Sequence, residues 1–255
     1  MLGAIAGDVI GSVHEHTMQK SATFPLFTPR SRFTDDTVLT VATAEAILTG
    51  TPYGMAYHVY GRRYPDAGYG GLFIDWLMSN RPRSYHGWGN GSAMRVSPIG
   101  WAFHTREEVL REAERSAAFT HDHPEGIKGA QATALAVFLA RCGASKEDIR
   151  DELSELFDYD LRRNIDQIRD GYQPDVSCRG SVPEAIIAFL DASCFEDAIR
   201  LAVSLGGDAD TQATIAGGIA EAFHRHVPAL IAVKVRNLLP PEFIDIIDRF
   251  DDRFL

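Results

Sequence analysis

An all-α bundle forming a single domain over residues 1–255 is the fold this sequence predicts, and three observations predict it. Every long segment with a hydrophobic period repeats at helical spacing, as do Ile127, Ala130, Ala134, Val137 and Phe138. Helix start and stop signals recur: Thr105 with Glu108 reads as a capping box, Ser145 with Asp148 opens another helix, and Gly50 and Gly143 stand where helical patterns end. No series of alternating apolar and polar residues marks a set of strands.

In chain order, residues 1–13 combine apolar residues with Gly3, Ala4, Ala6, Gly7, Gly11 and Ser12, which suits a helix packed closely on its neighbours; Glu15 follows. Residues 21–32 are rich in Pro and Phe without a period and read as a loop. A helix over 37–48 ends where Gly50, Pro52 and Gly54 collect, and most aromatics of 53–85 are explained by core packing. Gly87 to Arg95 holds three glycines and an Asn-Gly pair ahead of a helical segment. The residues alone leave open a tight turn, with glycine at positive φ, or a backbone-amide cradle for phosphate. Helices follow over 105–118, 125–141 and from 145 towards 157, and the polar, poorly periodic residues 158–181 read as an excursion over the surface. Helices resume over 182–190, with Pro183 at the start, and over 194–204. Gly206 and Gly207 break the latter; Gly217-Gly218 costs helix propensity but lets another helix come close, and 240–255 is amphipathic through Phe243, Ile246, Ile247 and Phe250.

Two stretches stand out chemically: Thr34-Asp35-Asp36-Thr37 and Asp208-Ala209-Asp210-Thr211. Each puts two carboxylates and a threonine where a loop becomes a helix. Capping explains either alone, since Thr and Asp are preferred N-caps and acids complement the macrodipole. Together they set four acids with no base inside either motif, an arrangement that calls for a cation, and hard oxygen donors suit Mg²⁺ or Mn²⁺ better than zinc. An EF-hand reading fails, because Ala213 stands where glycine is needed and Ile219 where the bidentate glutamate should be. His121 and His123 do not make a zinc site by themselves.

Composition narrows the classes further. With 45% hydrophobic and 24% charged residues the chain is of ordinary globular type, and a net charge of −10 argues against a partner held by its phosphate backbone. Three widely spaced cysteines, Cys142, Cys178 and Cys194, suggest a reducing, cytoplasmic setting. The N-terminal apolar run lacks a basic region and is interrupted by Asp8, so it is a poor secretory signal. No uncharged run approaches the roughly 18 residues of a membrane span.

The chain resembles the ADP-ribosylglycohydrolase superfamily. The likeness rests on Gly7-Asp8-Val9-Ile10-Gly11 with Glu15, on Thr34-Asp35-Asp36-Thr37, on Gly89-Asn90-Gly91-Ser92-Ala93-Met94-Arg95, on Thr120-His121, and on Gly206-Gly207-Asp208-Ala209-Asp210-Thr211, in family order over nearly the whole length. It implies a compact orthogonal helical bundle with a binuclear Mg²⁺ or Mn²⁺ site held by Thr34, Asp35, Asp36, Asp208, Asp210 and Thr211. It also implies catalytic carboxylates among Asp36, Glu15 and Asp35, and substrate contacts from Gly89, Asn90, Gly91, Ser92, Met94 and His121, with Asn90 expected on the nucleotide and not on the cations. The implied activity is release of ADP-ribose from an α-linked N- or O-glycosidic acceptor, protein or small molecule, with nucleic acid a partner only as an ADP-ribosylated substrate. Two alternatives are a non-catalytic ADP-ribose-binding or structural relative, which the presence of every acidic position disfavours, and a metal-dependent hydrolase of another ADP-ribose derivative.

Overall fold

The computed structural model describes residues 1–255 as fourteen α-helices and no sheet. They are α1 (Leu2–Gly11), α2 (Asp35–Thr49), α3 (Tyr53–Arg63), α4 (Gly71–Met78), α5 (Ser97–Ala102), α6 (Arg106–Ala117), α7 (Pro124–Arg141), α8 (Lys146–Phe157), α9 (Ile165–Arg169), α10 (Cys178–Asp191), α11 (Phe195–Val203), α12 (Ala209–His224), α13 (Ala229–Arg236) and α14 (Pro241–Phe254). A contiguous core draws on residues from Met1 to Phe250. No helix is long and apolar enough to cross a membrane.

The pair at the centre is α1 against α12. Every residue of α1 is buried, and three glycines at four-residue spacing let the backbones meet. A Cβ on Gly3 would lie 2.5 Å from the Gly217 carbonyl oxygen, one on Gly7 2.0 Å from that of Ala213, and one on Gly11 2.5 Å from Cα of Asp210. The partner numbers fall as the glycine numbers rise, so the helices run antiparallel. This brings the C-terminal end of α1, with Asp8 and the following Glu15, to the N-terminal end of α12, where Asp208 and Asp210 lie. A Cβ on Gly217 would in turn lie 2.4 Å from the Gly3 carbonyl oxygen, a close approach that the glycine pair in the sequence anticipates.

Local signals explain the other boundaries. Thr34 caps α2 by accepting from the Asp36 amide, worth about 1 kcal/mol, and Gly50 ends it in the left-handed region. Thr105/Glu108 and Ser145/Asp148 form the expected capping boxes. Phe243, Ile246, Ile247 and Phe250 of α14 are all buried, each contributing about 1.5–3 kcal/mol.

Helices α3, α4 and α13 were not read from the sequence, and two segments are built differently from the reading. Helix α10 starts at Cys178, capped by Ser177, so Pro183 lies inside it. The segment 158–181 is no mere surface excursion: it contains α9, buries Tyr159, Leu161, Ile165, Ile168 and Tyr172, and pairs Ser177 with Gly89 in an isolated antiparallel bridge. Its polar residues hid this, because its apolar anchors are scattered and follow no period.

Candidate metal centre and cleft

Asp8 is the organising side chain. It sits fully buried in the last turn of an apolar helix, and its carboxylate accepts from both backbone and side chain of Thr34 (2.8 and 2.8 Å), from the Thr37 amide (3.1 Å) and from the Thr37 hydroxyl. These are the otherwise unpaired donors at the start of α2, so α1 supplies α2 with a second cap in trans. The same contacts bring Asp35 and Asp36 to the end of α1.

Two triplets of carboxylates result: Asp8, Asp36 and Asp210, and Glu15, Asp208 and Asp210. Within each, one oxygen per residue lies within 4.8 Å of the others, and Asp210 belongs to both. Thr211 donates its hydroxyl to Asp36 Oδ1 at 3.2 Å and its amide to Asp210 Oδ1 at 3.0 Å. Asp36 Oδ2 is buried without a partner. Asp208, the N-cap residue of α12, makes no capping bond there; its carboxylate accepts from the Asn90 side-chain amide at 2.7 Å. Asp35 is half-buried, in neither triplet, and lines the cleft.

None of these aspartates forms an ion pair; Glu15 meets only the exposed His16, at 3.7 Å. Burial, and then repulsion among the acids, lifts the carboxyls of Asp36 and Asp210 well above the usual range and Asp35 to about 8. Asp8 rises to about 6 by burial even though four hydrogen bonds oppose the shift. Glu15 is raised by burial and by Asp208, against His16 and Arg32. An all-oxygen donor set, a buried orphan oxygen and no basic counter-charge fit hard divalent cations, which would reverse those shifts.

The acids line a cleft of about 470 Å³, together with the loop of residues 87–91, Met94 and His121. That loop is stitched down: the Asn90 amide donates to the Val176 carbonyl (2.8 Å), the Cys178 amide to that of Trp88 (2.9 Å), Cys178 Sγ to that of Gly89 (3.1 Å) and the Ser92 hydroxyl to that of Gly126 (2.7 Å). The Asn90 amide is therefore not free to cradle phosphate. Nor do the glycines serve positive φ: Gly87, Gly89 and Gly91 all have φ outside the left-handed region. At Gly87 the reason is space: a Cβ there would lie 2.6 Å from the Tyr85 ring and 2.8 Å from that of His121, whereas at Gly89 and Gly91 it would make only ordinary contacts with the His121 ring, at 3.7 and 3.4 Å.

His121 is buried, and burial together with the nearby Arg95 cation pushes it down to about 3, so it is neutral. Thr120 Oγ1 accepts from Arg95 Nη2 (2.8 Å), lies 3.5 Å from the Ala117 carbonyl oxygen and pairs with His121 Nδ1 at 2.7 Å; in the tautomer in which the threonine donates to Nδ1, Nε2 carries the hydrogen, beside Gly89 and Gly91. His123, undecided in sequence, accepts from the Glu125 amide as the N-cap of α7. Trp88 (58% exposed), Leu72 (60%) and Val176 (66%) give the cleft an apolar rim.

All thirteen residues singled out in sequence as catalytic, metal-binding or substrate-binding lie in or directly behind this cleft. Thr34 lies behind, its hydroxyl on Asp8, and Ser92 faces Gly126. Two contributions went unread. Asp8 was legible as a lone acid in a run of apolar and small residues, a position tolerated only with strong partners. Val176 and Ser177 carried no signal.

A sequence model of the ADP-ribosylglycohydrolase family matches residues 1–254. ADP-ribosylhydrolase ARH3 of Mus musculus is 30% identical, over 88% of this chain and 82% of that protein. ADP-ribosylarginine hydrolase Tri1 of Pseudomonas putida (strain GB-1) is 25% identical, over 88% and 69%. Among solved structures, a chain of an ADP-ribosylglycohydrolase-related protein complex superimposes with a TM-score of 0.75 at 24% identity, covering 100% of this chain and 96% of that one, which establishes the fold.

Proposed function

The chain belongs to the ADP-ribosylglycohydrolase family, a family of glycosidic-bond hydrolases, and from that premise we propose that it releases ADP-ribose from an α-linked N- or O-glycosidic acceptor, using two Mg²⁺ or Mn²⁺ ions. The observation that carries this reading is the cluster of Asp8, Glu15, Asp36, Asp208 and Asp210, with no Lys or Arg paired to it, at a cleft that the glycine loop around His121 also lines. Asp36, Asp208, Asp210 and Glu15 would hold the ions with Asp35, Thr34 and Thr211 beside them. Bound there, the cations supply counter-charge and Lewis acidity.

The chain's own groups then divide the work. Asp36, with Oδ1 fixed by Thr211 and Oδ2 unpartnered, is the proposed general base for the attacking water, with Glu15 the second choice and Asp35 in support. The neutral His121 offers Nε2–H as a donor to the ligand near Gly89 and Gly91, while Asn90 and Met94 line the same wall. The exposed Trp88 face is a platform for the adenine ring. The acceptor lies at the apolar rim; it is an ADP-ribosylated protein or small molecule, or nucleic acid when so modified. We take residues 1–255 as one domain working in a reducing, cytoplasmic setting, in keeping with the contiguous core and three free cysteines.

If cations grip the cis 2″ and 3″ hydroxyls of the distal ribose from its α face, an α-linked leaving group lies beside the acids and a β-linked one points away. The test is chromatography of α-NAD and β-NAD incubations with Mg²⁺ and with EDTA. Metal-dependent cleavage of α-NAD with survival of β-NAD is expected; comparable cleavage of β-NAD, or full turnover in EDTA, overturns the proposal.

A further inference from the structure

We propose that Lys20 is a positioning residue for Glu15: its ammonium clamps the turn carrying Glu15 onto the loop carrying Asp208. The inference rests on the activity proposed above. After α1 the chain turns through residues 12–18, held by amide bonds from Ser12 to Asp8, His14 to Gly11 and Thr17 to His14, with Met18 in the left-handed region. Glu15 itself accepts no hydrogen bond from elsewhere in the chain; its only partner is its neighbour His16. Its place beside Asp208 and Asp210 therefore depends on where the turn's backbone is pinned.

Lys20 does the pinning. Its Nζ donates to the carbonyls of Leu205 (2.6 Å), Arg169 (2.7 Å) and Tyr172 (2.9 Å) and makes no ion pair, so all three donors of the ammonium are used on backbone from two other segments. Leu205 opens the loop Gly206-Gly207-Asp208. That loop is in contact with the turn: Gly206 is left-handed, and a Cβ on it would lie 3.1 Å from the Gln19 carbonyl oxygen, from Lys20 Cε and from the Met18 carbonyl carbon. Tyr172, whose ring Nζ overlies at 5.8 Å, accepts from Gln212 of α12 at 2.9 Å and donates to the Gly180 carbonyl. One ammonium thus ties the Glu15 turn to the Asp208 loop and to the segment leading into α10. Three converging carbonyls suit a compact ammonium and not a planar guanidinium.

The test compares Lys20→Met, Glu15→Gln and the double variant by kcat and KM, by Mn²⁺ affinity from calorimetry, and by amide exchange of the metal-free protein; Lys20→Gln replaces Lys20→Met if the latter does not fold. Expected are a kcat loss of about 10–100-fold with KM changed less than about threefold, a Mn²⁺ affinity weakened as far as in Glu15→Gln, and faster exchange over 13–18 with α12 unchanged. In the Glu15→Gln background the Lys20 change should add less than about twofold. Losses that multiply in the double variant, or unaltered exchange over 13–18, overturn the proposal. A wild-type protein without turnover would refute the activity reading alone, because the exchange and Mn²⁺ arms still decide for Lys20.

Discussion

Thr37 gives both its backbone amide, at 3.1 Å, and its hydroxyl to one carboxylate oxygen of Asp8, 29 residues earlier in the chain. The contact joins two helices and also turns the start of α2 towards α12. Asn at position 8 would set an NH₂ against donors that need an acceptor. Asp8→Asn is expected to lose about 2–4 kcal/mol in urea unfolding, along with Mn²⁺ affinity; Thr37→Val, which removes only the hydroxyl, about 1–2 kcal/mol. An Asp8→Asn protein as stable as wild type would refute the cap in trans.

Asn90 was expected to serve the nucleotide and spare the cations. Its side chain instead holds Asp208 at 2.7 Å, so Asn90→Ala is expected to weaken Mn²⁺ about 10–100-fold, as loss of a partner behind a metal ligand does. Calorimetry with Mn²⁺ and with ADP-ribose in separate titrations reads both effects, and unchanged Mn²⁺ affinity would restore the simpler division of labour.

Asp36→Asn leaves the Thr34 cap of α2 intact, and Asp208→Asn removes a carboxylate that caps nothing. Both are expected to keep the helical circular dichroism spectrum while losing more than about 100-fold in Mn²⁺ affinity and all measurable turnover. Unfolding of either variant would show the acid to be structural.

His121 lies at about 3 through burial and the neighbouring Arg95, below the ordinary value of about 6.5. The sign follows: the unfolded chain binds a proton there below pH 6.5 and the folded chain does not, so this contribution to stability is complete above 6.5 and is lost as pH falls towards 3. Imidazole NMR is expected to show one histidine that stays neutral down to pH 4, and His121→Asn should flatten the acid limb of the stability profile. Titration of His121 near 6.5 would refute the buried, neutral ring.

Gly7→Ala sets a methyl 2.0 Å from the Ala213 carbonyl oxygen, a backbone atom that cannot step aside. About 3 kcal/mol or more of destabilisation is expected, with loss of Mn²⁺ binding as Asp8 and Asp210 separate. Thermal unfolding and calorimetry test both.

Much of this was legible in the chain. The caps at Thr34, Thr105 and Ser145 are local chemistry and appear where the residues put them. The acidic motifs could be read because four acids without a base are improbable in a folded interior unless something offsets them. What could not be read is what depends on contacts across the fold. Asp208 looked like a cap until Asn90 claimed it. Pro183 looked like a helix start because nothing nearby reveals that Ser177 caps α10. The glycines around His121 suggested positive φ, whereas at Gly87 the reason is a pair of rings, Tyr85 and His121, the latter more than thirty residues further on.

The antiparallel α1–α12 pair has a consequence for how the protein is made. Synthesis runs from the N-terminus, so α1 emerges first while the helix that covers its glycine face is among the last. Until α12 arrives, that face has no mate of the right shape, and the Asp8 carboxylate can cap α2 but meets no Asp210. Closing so long a loop gives the bundle far more non-local character than its helical content suggests, and slows its folding accordingly. The acid cluster is thus completed late in assembly, and a nascent chain released before residue 209 would carry helices and Asp8 but lack Asp210, the acid common to both carboxylate triplets.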